Sequence, residues 1–525
     1  MLKKIKNVLN YLLPQKQTNV EKEFINLNKS NWPSQNANNQ DSCYILVEGQ
    51  ITCPASIIDK ARIAKAIEEV TGYSSIVYLR GFYQKGNSAA LIYKSFAINR
   101  FYMWWSGYLR PSVFFPALLA TIHTMIFCKD GNALLKLVYK KIEVGDLIYD
   151  TLIRYKPNTY TIKKLNLSHL RLIFRAFLIF HNNNYIINKY KPRYLVTSHN
   201  VYAEFGLLPR QIKHKGKSVV FLKDIYAYKC YGLNANEKEH FLKPSLTEFN
   251  EKMRSPEYLA DAKDYFASRF AGTIEQIDVK NAFLGKRKYD FAELKKKFPG
   301  LSENNKNVVV MSHAFSDAPH VGEGLLFSDY YDFLEKTLLY LNDSEFINCF
   351  VKPHPSSYMW NEKGAVEEMI ERHNLKNVYV TPLDFNTNSI SDFADCIVTA
   401  KGTAGLEFTC LGIPALTAGK GYYSGFGITP EPESLREYFD LLGNCHNLEK
   451  INQDTKNKAL VLLYMVSLSR RHSEILPAQH IMPHENYFEV FESKFSEVIA
   501  NINAGKIMKD SFYNEVKKDV TENYV

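Results

Sequence analysis

Lys352 and His354 alternate with Pro353 and Pro355 directly after the apolar run "INCFV" (347–351). Each proline fixes its own φ and biases the residue before it toward extended backbone, so the loop holds one ammonium and one imidazole in a set place. A point charge beside a directional N–H donor suits a phosphate, above all one departing in a leaving group. Further on, "TAKGTAGLEFTCLGIP" (399–414) reads as a strand end, a Lys401-Gly402-Thr403 turn and a helix start. Gly402 admits a close ligand, Thr403 is placed to cap, and the N–H groups of Thr403, Ala404 and Gly405 form an anion site. Glu407, one turn into that helix, has the reach for the ribose hydroxyls of a nucleotide. Each feature alone has a plain structural use, as a rigid turn or a capped helix. Two such loops ending neighbouring strands point to a nucleotide donor.

The catalytic group must come from elsewhere. "VVVMSHAFSDAPH" (308–320) ends a strand with His313, Asp317 and His320. A carboxylate among histidines deprotonates an acceptor hydroxyl or attacks as a nucleophile, although an Asp before Ala-Pro also serves as a turn former. Asp317 is the leading expected base, with His313 and His354 beside it. In the first half, Asp146 and Asp150 of "GDLIYD" and His199 and Tyr202 of "SHNVY" are expected to face the acceptor. The eight cysteines make no CxxC pair and no Asp-X-Asp triplet occurs. No metal and no cofactor are therefore expected; fixed Lys, His and helix-dipole charge would serve instead.

These residues need strand ends to carry them. "CYILVEG" (43–49), "ASIIDKARIAKAIEEVTG" (55–72) and "SSIVYLRG" (74–81) read as strand, helix, strand, and the pattern returns at "RYLVTSH" (193–199), 201–216 and "SVVFL" (218–222). Five further β-rich runs, 307–315, 347–355, 377–383, 395–403 and 413–419, alternate with helix-like stretches at 331–341, 365–373 and 403–412. Alternation of this kind implies parallel sheets. The expected fold is α/β, with two Rossmann-like domains facing a central cleft and a helical insertion near 85–190. Its expected parts are a basic amphipathic helix (1–20), an N-terminal acceptor domain (21–240), a helical connector (241–304), a nucleotide-donor domain (305–475) and C-terminal helices (476–525) that cross back. "GYYSGFG" (421–427) carries tyrosines between glycines, as a lid over the donor would.

At 525 residues with a net charge of +10, the chain is too long for one core and mildly basic. Such an excess suits a polyanionic glycan, a nucleotide-linked substrate or an anionic membrane surface. Leu2, Ile5, Val8, Leu9, Leu12 and Leu13 recur at helical spacing with Lys3, Lys4 and Lys6 off the stripe, the pattern of a surface-lying helix or of one packed on its own domain. The apolar segment 111–128 is short of a span and carries two prolines, so it reads as buried or interfacial. No leader is read at the start, and unpaired thiols fit a reducing compartment. The expected location is cytoplasmic, peripheral on the inner membrane face, with no nucleic-acid partner.

The "KPHP" loop, then "GTAGLEFTCLGIP" and "YYSGFGIT", resembles bacterial capsule and surface-polysaccharide transferases of the GT-B fold, including Kdo-transferase-like enzymes and, more distantly, sialyltransferases with a His-Pro motif. The likeness is most specific over 307–430. It implies that Lys352, His354, Gly402, Thr403 and Glu407 hold the donor, usually a CMP-linked sugar, and that the acceptor is a glycan or glycolipid. The sialyltransferases' paired serines are replaced here by Gly402-Thr403, which argues against sialic acid. Two other readings fit the same motifs: a CDP-polyol phosphotransferase of teichoic-acid-polymerase type, and a non-catalytic glycan-assembly subunit.

Overall fold

The computed structural model describes residues 17–32, 43–50, 54–79, 88–216, 219–223, 228–231, 242–274, 279, 282–322, 324–355, 357–360, 362–468, 487–506 and 510–524. The expected amphipathic helix at 1–20 lies outside them except for its last residues.

Two α/β domains make up the fold. The N-terminal sheet is built from β1 (Tyr44–Gly49), β2 (Ser74–Leu79), β3 (Arg100–Met103), β6 (Pro192–Thr197), β7 (Val219–Lys223) and β8 (Tyr228–Tyr231), while β4 (Val138–Tyr139) and β5 (Ile142–Glu143) form a separate hairpin. Its order is β3-β2-β1-β6-β7-β8, parallel except for the β7–β8 pair. The second sheet takes β9 (Lys306–Met311), β10 (Ile347–Lys352), β11 (Val378–Val380), β12 (Cys396–Thr399) and β13 (Ala415–Thr417), in the order β11-β10-β9-β12-β13 and wholly parallel. Every residue of β10 and β12 is buried. That two-sided burial is why these strands read as continuous apolar runs rather than alternating ones.

Strand order reverses between β1 and β6 in the first sheet and between β9 and β12 in the second. Open α/β sheets bind ligands outside the carboxyl ends of strands at such switch points. The second-sheet core joins Val308, Val310, Cys349, Val351 and Val398 to Leu334 and Leu338 of the helix Tyr330–Asn342.

Within the expected helical insertion at 85–190, residues 88–190 are mostly helical but also supply β3 and the hairpin. Helices Tyr487–Asn503 and Ser511–Asn523 bury Phe495, Val498, Phe512 and Val516 in the N-terminal core beside Ile57, Ala61 and Ala64 of the helix Pro54–Thr71. Arg62 of that helix pairs with Asp510, both buried, so the chain's last helices are bonded to its first domain.

Candidate functional site

The β9/β12 switch point gathers the histidine and the lysines. β10 ends on Lys352, whose carbonyl accepts the N–H of Ser312 at the end of β9 (3.0 Å). Next to it, His313 stacks on Tyr330 with ring centroids 4.1 Å apart. The Thr399 hydroxyl lies 3.2 Å from His313 Nε2, and the N–H of Lys401 donates to it at 3.4 Å. That lone pair is thus spent on the β12 turn. Burial, then the nearby charges of His354 and Lys401, push the His313 imidazole down to about 3. It is neutral throughout the physiological range and acts as a spacer between two strand ends.

Both lysines are buried. Burial first, then Lys286, brings Lys352 down to about 8. Burial likewise brings Lys401 to about 8, with Asp150 pulling the other way. Lys401 donates to the carbonyl of Val321. Among the described residues no side chain or carbonyl pairs with the ammonium of Lys352. Little of this side chain reaches solvent, so an anion placed beside it would meet a poorly hydrated charge.

The helix Thr403–Leu411 starts at the same place. Gly402 is its N-cap with φ −76°, and no side chain caps it. A Cβ at Gly402 would stand 3.0 Å from Thr399 Oγ1 and 3.1 Å from His313, so glycine is needed here for close approach, not for its φ. Gly405 N–H already bonds to Gly402 O (3.1 Å), which leaves the N–H groups of Thr403 and Ala404 at the helix start. Glu407 is held by Arg269 of the helix Pro256–Phe270, Oε1 accepting from Nε at 2.7 Å and from a terminal nitrogen at 2.6 Å. The expected tyrosine lid is not one. Tyr422, Tyr423 and Phe426 are buried, and the two tyrosine hydroxyls donate to Thr403 Oγ1 (3.0 Å) and Gly402 O (2.9 Å). They brace the Gly402–Thr403 turn because their rings complete the core around Leu406 and Leu460.

Across the cleft, the helix Gly145–Tyr155 supplies the partners. Asp150 accepts from His320 Nδ1 at 2.6 Å, and His320 Nε2 donates to Ser328 O at 3.0 Å. Tyr149 donates to Asp329 (2.5 Å), the N-cap of the helix Tyr330–Asn342. Arg154 stacks over Trp360 at 3.5 Å, just past the proline loop. Tyr202, at φ 55°, donates to Ser316 O at 3.2 Å and lies 3.4 Å from Asp317 Oδ1. A left-handed aromatic residue is strained, and this contact between domains holds it there.

A cavity of about 400 Å³ opens along this seam, lined by Asp146, Asp150, Arg210, His320, Val321 and Lys401 among others. Asp146 is gripped through both oxygens by Arg210, at 2.7 and 2.6 Å; burial opposes its charge, but Arg210 outweighs it and holds the carboxyl below its usual range. Lys352, His313 and His354 stand outside that lining, and Lys401 joins the two areas. Asp317 is exposed on its turn. His199 packs edge-on against Phe205 at 5.4 Å, near the cavity's Asn200 but not in its wall.

Two acidic residues have no counterpart in the sequence reading. Buried Glu362 accepts the N–H groups of Phe315 (2.8 Å) and Ser316 (2.9 Å) and the Ser316 hydroxyl (2.7 Å), fixing the loop that carries Asp317. Buried Glu48, next to last in β1, pairs with Lys60 at 2.7 Å and takes the hydroxyl of Ser198 past β6, bridging the first sheet's switch point. A strand closing on a carboxylate, "ILVEG", was the available signal for Glu48. Nothing local marks Glu362.

Residues 233–438 match a known family. It is that of capsule polysaccharide biosynthesis proteins. The capsule match contains the whole second sheet and every C-terminal site residue, and the likeness read over 307–430 falls inside it. No curated protein matches the chain. Similar solved structures include two of KpsC from Thermosulfurimonas dismutans. Its β-Kdo 2,4-transferase is 12% identical over 52% of this chain and 80% of that one, with a TM-score of 0.32. Its β-Kdo 2,7-transferase is 13% identical over 53% and 87%, TM-score 0.31. Anabaena HepE in complex with UDP and glucose is 12% identical over 89% and 99%, TM-score 0.24.

Proposed function

We propose that this chain is a glycosyltransferase of capsule polysaccharide synthesis, moving a sugar, Kdo or a related acid sugar, from a CMP-linked donor to a surface-glycan acceptor. The observation that carries the reading is Lys352: a lysine only 7% exposed, with no hydrogen bond or ion pair to its ammonium among the described residues, ending a strand beside the switch point of a parallel sheet. The capsule-family match over the same domain supports it.

In this reading the donor phosphate rests on Lys352, His354, Lys401 and the N–H groups of Thr403 and Ala404. Their charge faces the negative charge that builds on the departing nucleotide, where fixed donors act most strongly. For the ribose we keep Glu407, whose Oε1 is held by Arg269. His313 positions Lys401 through its backbone. The acceptor enters the cavity walled by Asp146, Asp150 and Arg210, with His199 and Tyr202 at its edge, and Asp317 takes the proton of the attacking hydroxyl.

The test is incubation with CMP-, UDP- and GDP-sugars and a capsular oligosaccharide acceptor, reading nucleotide release and phosphorus NMR together. CMP release with a glycosidic product is expected. A phosphodiester product would replace the reading with polyol-phosphate transfer, and no release from any donor would sink both.

A further inference from the structure

The helix Pro111–Phe127 is inverted relative to an ordinary surface helix. Its 17 residues include no Asp, Glu, Lys or Arg. The buried face is small: Val113, Ala117, Ala120, Thr121 and Thr124. It packs along the helix Leu170–Tyr190, and both threonine hydroxyls turn back onto helix carbonyls (2.7 and 2.9 Å). The large side chains point the other way. Phe114, Phe115, Leu118, Leu119, Ile122 and Ile126 fall within an arc of about 140° at 100° per residue, and all are exposed. Phe115, Leu119, Ile126 and Phe127 are 59–68% exposed, and Leu109 just ahead of them 77%. Single exposed apolar residues are ordinary, but a continuous face is not.

Charge around the face decides what covers it. Exposed Lys129 lies just past the C-cap Cys128, and the Asp130 beside it is occupied in capping the next helix. From Thr151 to Ala203 the chain has nine Lys and Arg and no Asp or Glu. Phe114 meets Phe174 edge-on at 5.5 Å; exposed Leu170 and Arg171 open that neighbouring helix and exposed Lys164 and Leu167 precede it, while Lys163 reaches toward Glu335 at 3.8 Å. An apolar stripe rimmed by cations complements an anionic bilayer, with side chains at the acyl boundary and ammonium groups on headgroup phosphates. The helix is about 25 Å long, and no described helix is long and apolar enough to cross a membrane.

We propose that the helix Pro111–Phe127 lies flat in the surface of an anionic bilayer, with Phe115, Leu119 and Ile126 in the acyl boundary and Lys129 and Arg171 on headgroup phosphates. This contact is separate from the basic segment at residues 1–20, and it holds the N-terminal domain, rather than the chain end alone, against the lipid.

The experiment is flotation of the full chain with phosphatidylglycerol–phosphatidylcholine vesicles and with phosphatidylcholine alone. Binding to the anionic vesicles is expected, weakened by salt and reduced about 10-fold or more in the combined variant Phe115→Ser, Leu119→Ser, Ile126→Ser. Those side chains are exposed, so an unchanged circular dichroism melt is expected beside the loss. A fluorophore on Leu119→Cys should shift to the blue on anionic vesicles. Equal flotation of wild type and combined variant overturns the proposal, as does a fluorophore that does not respond. Absence of vesicle binding, with a self-association in sedimentation that the variant breaks, would assign the face to a second copy and also overturn it.

Discussion

Asp150 holds His320 at two points: Oδ1 accepts from the imidazole Nδ1 at 2.6 Å and Oδ2 from the backbone N–H at 3.3 Å. Since Nε2 donates to Ser328 O, both ring nitrogens carry protons and the ring is an imidazolium. Burial works against that charge, but Asp150 outweighs it and His320's pKa is raised. One charged histidine therefore ties the two domains beside the cavity. The stability it contributes is fully present below the unfolded value of about 6.5 and is lost as pH rises through the raised folded value. Replacing His320→Gln should cost about 2 kcal/mol in urea unfolding on the acid side, and distinctly less in alkaline buffer. An equal cost at both ends would mean that the ring is neutral.

Lys352 and Lys401 behave in the opposite sense. Both are pushed down to about 8, so each is a cation in neutral solution and loses its proton as pH climbs past that value. Nucleotide affinity should therefore fall as pH rises through 8, a trend that calorimetry across the range would show. In the free protein, burying each charge opposes folding below 8. That penalty fades between 8 and the unfolded lysine value of about 10.4.

His354 stands next to neutral His313 on the proline-stiffened loop. His354→Ala should lower turnover by ~100-fold, the scale of one lost donor to a developing charge, with little change in acceptor KM. A rate near wild type would remove it from the chemistry.

Glu362 accepts three hydrogen bonds from residues 315 and 316. Glu362→Ala should destabilise the fold by about 2 kcal/mol and slow turnover by freeing the Asp317 turn. Glu362→Gln keeps the acceptor oxygen and should recover most of the stability. If Glu362→Ala unfolds like wild type, the loop is held by other contacts.

The second sheet was legible because both faces of its strands are covered: "NVVVM", "INCFV" and "CIVT" carry no polar alternation to confuse with helix. The helix Ala365–His373 was likewise readable, apolar at Val366, Met369 and Ile370 and closed by Asn374 in the left-handed region. β3 was hidden because "RFYM" is short and runs into an aromatic cluster that periodicity alone does not separate from helix. Lys352, His354, Lys401 and Gly402 announced themselves through prolines and glycine, which act locally. The pairs Asp150–His320 and Arg269–Glu407 bring together residues 170 and 138 positions apart, a closeness that only tertiary packing creates. Tyr422 and Tyr423 misled for the same reason. Glycines nearby suggested motion, while the core that swallows their rings is assembled from distant helices.

The most direct measurement is calorimetric titration of CMP, CDP, UDP and GDP into wild type, Lys352→Ala and Lys401→Ala near neutral pH. CMP should bind wild type, and bind each variant at least about 10-fold more weakly. Wild-type affinity for CMP retained in both variants, or no binding of any nucleotide to wild type, would contradict this reading.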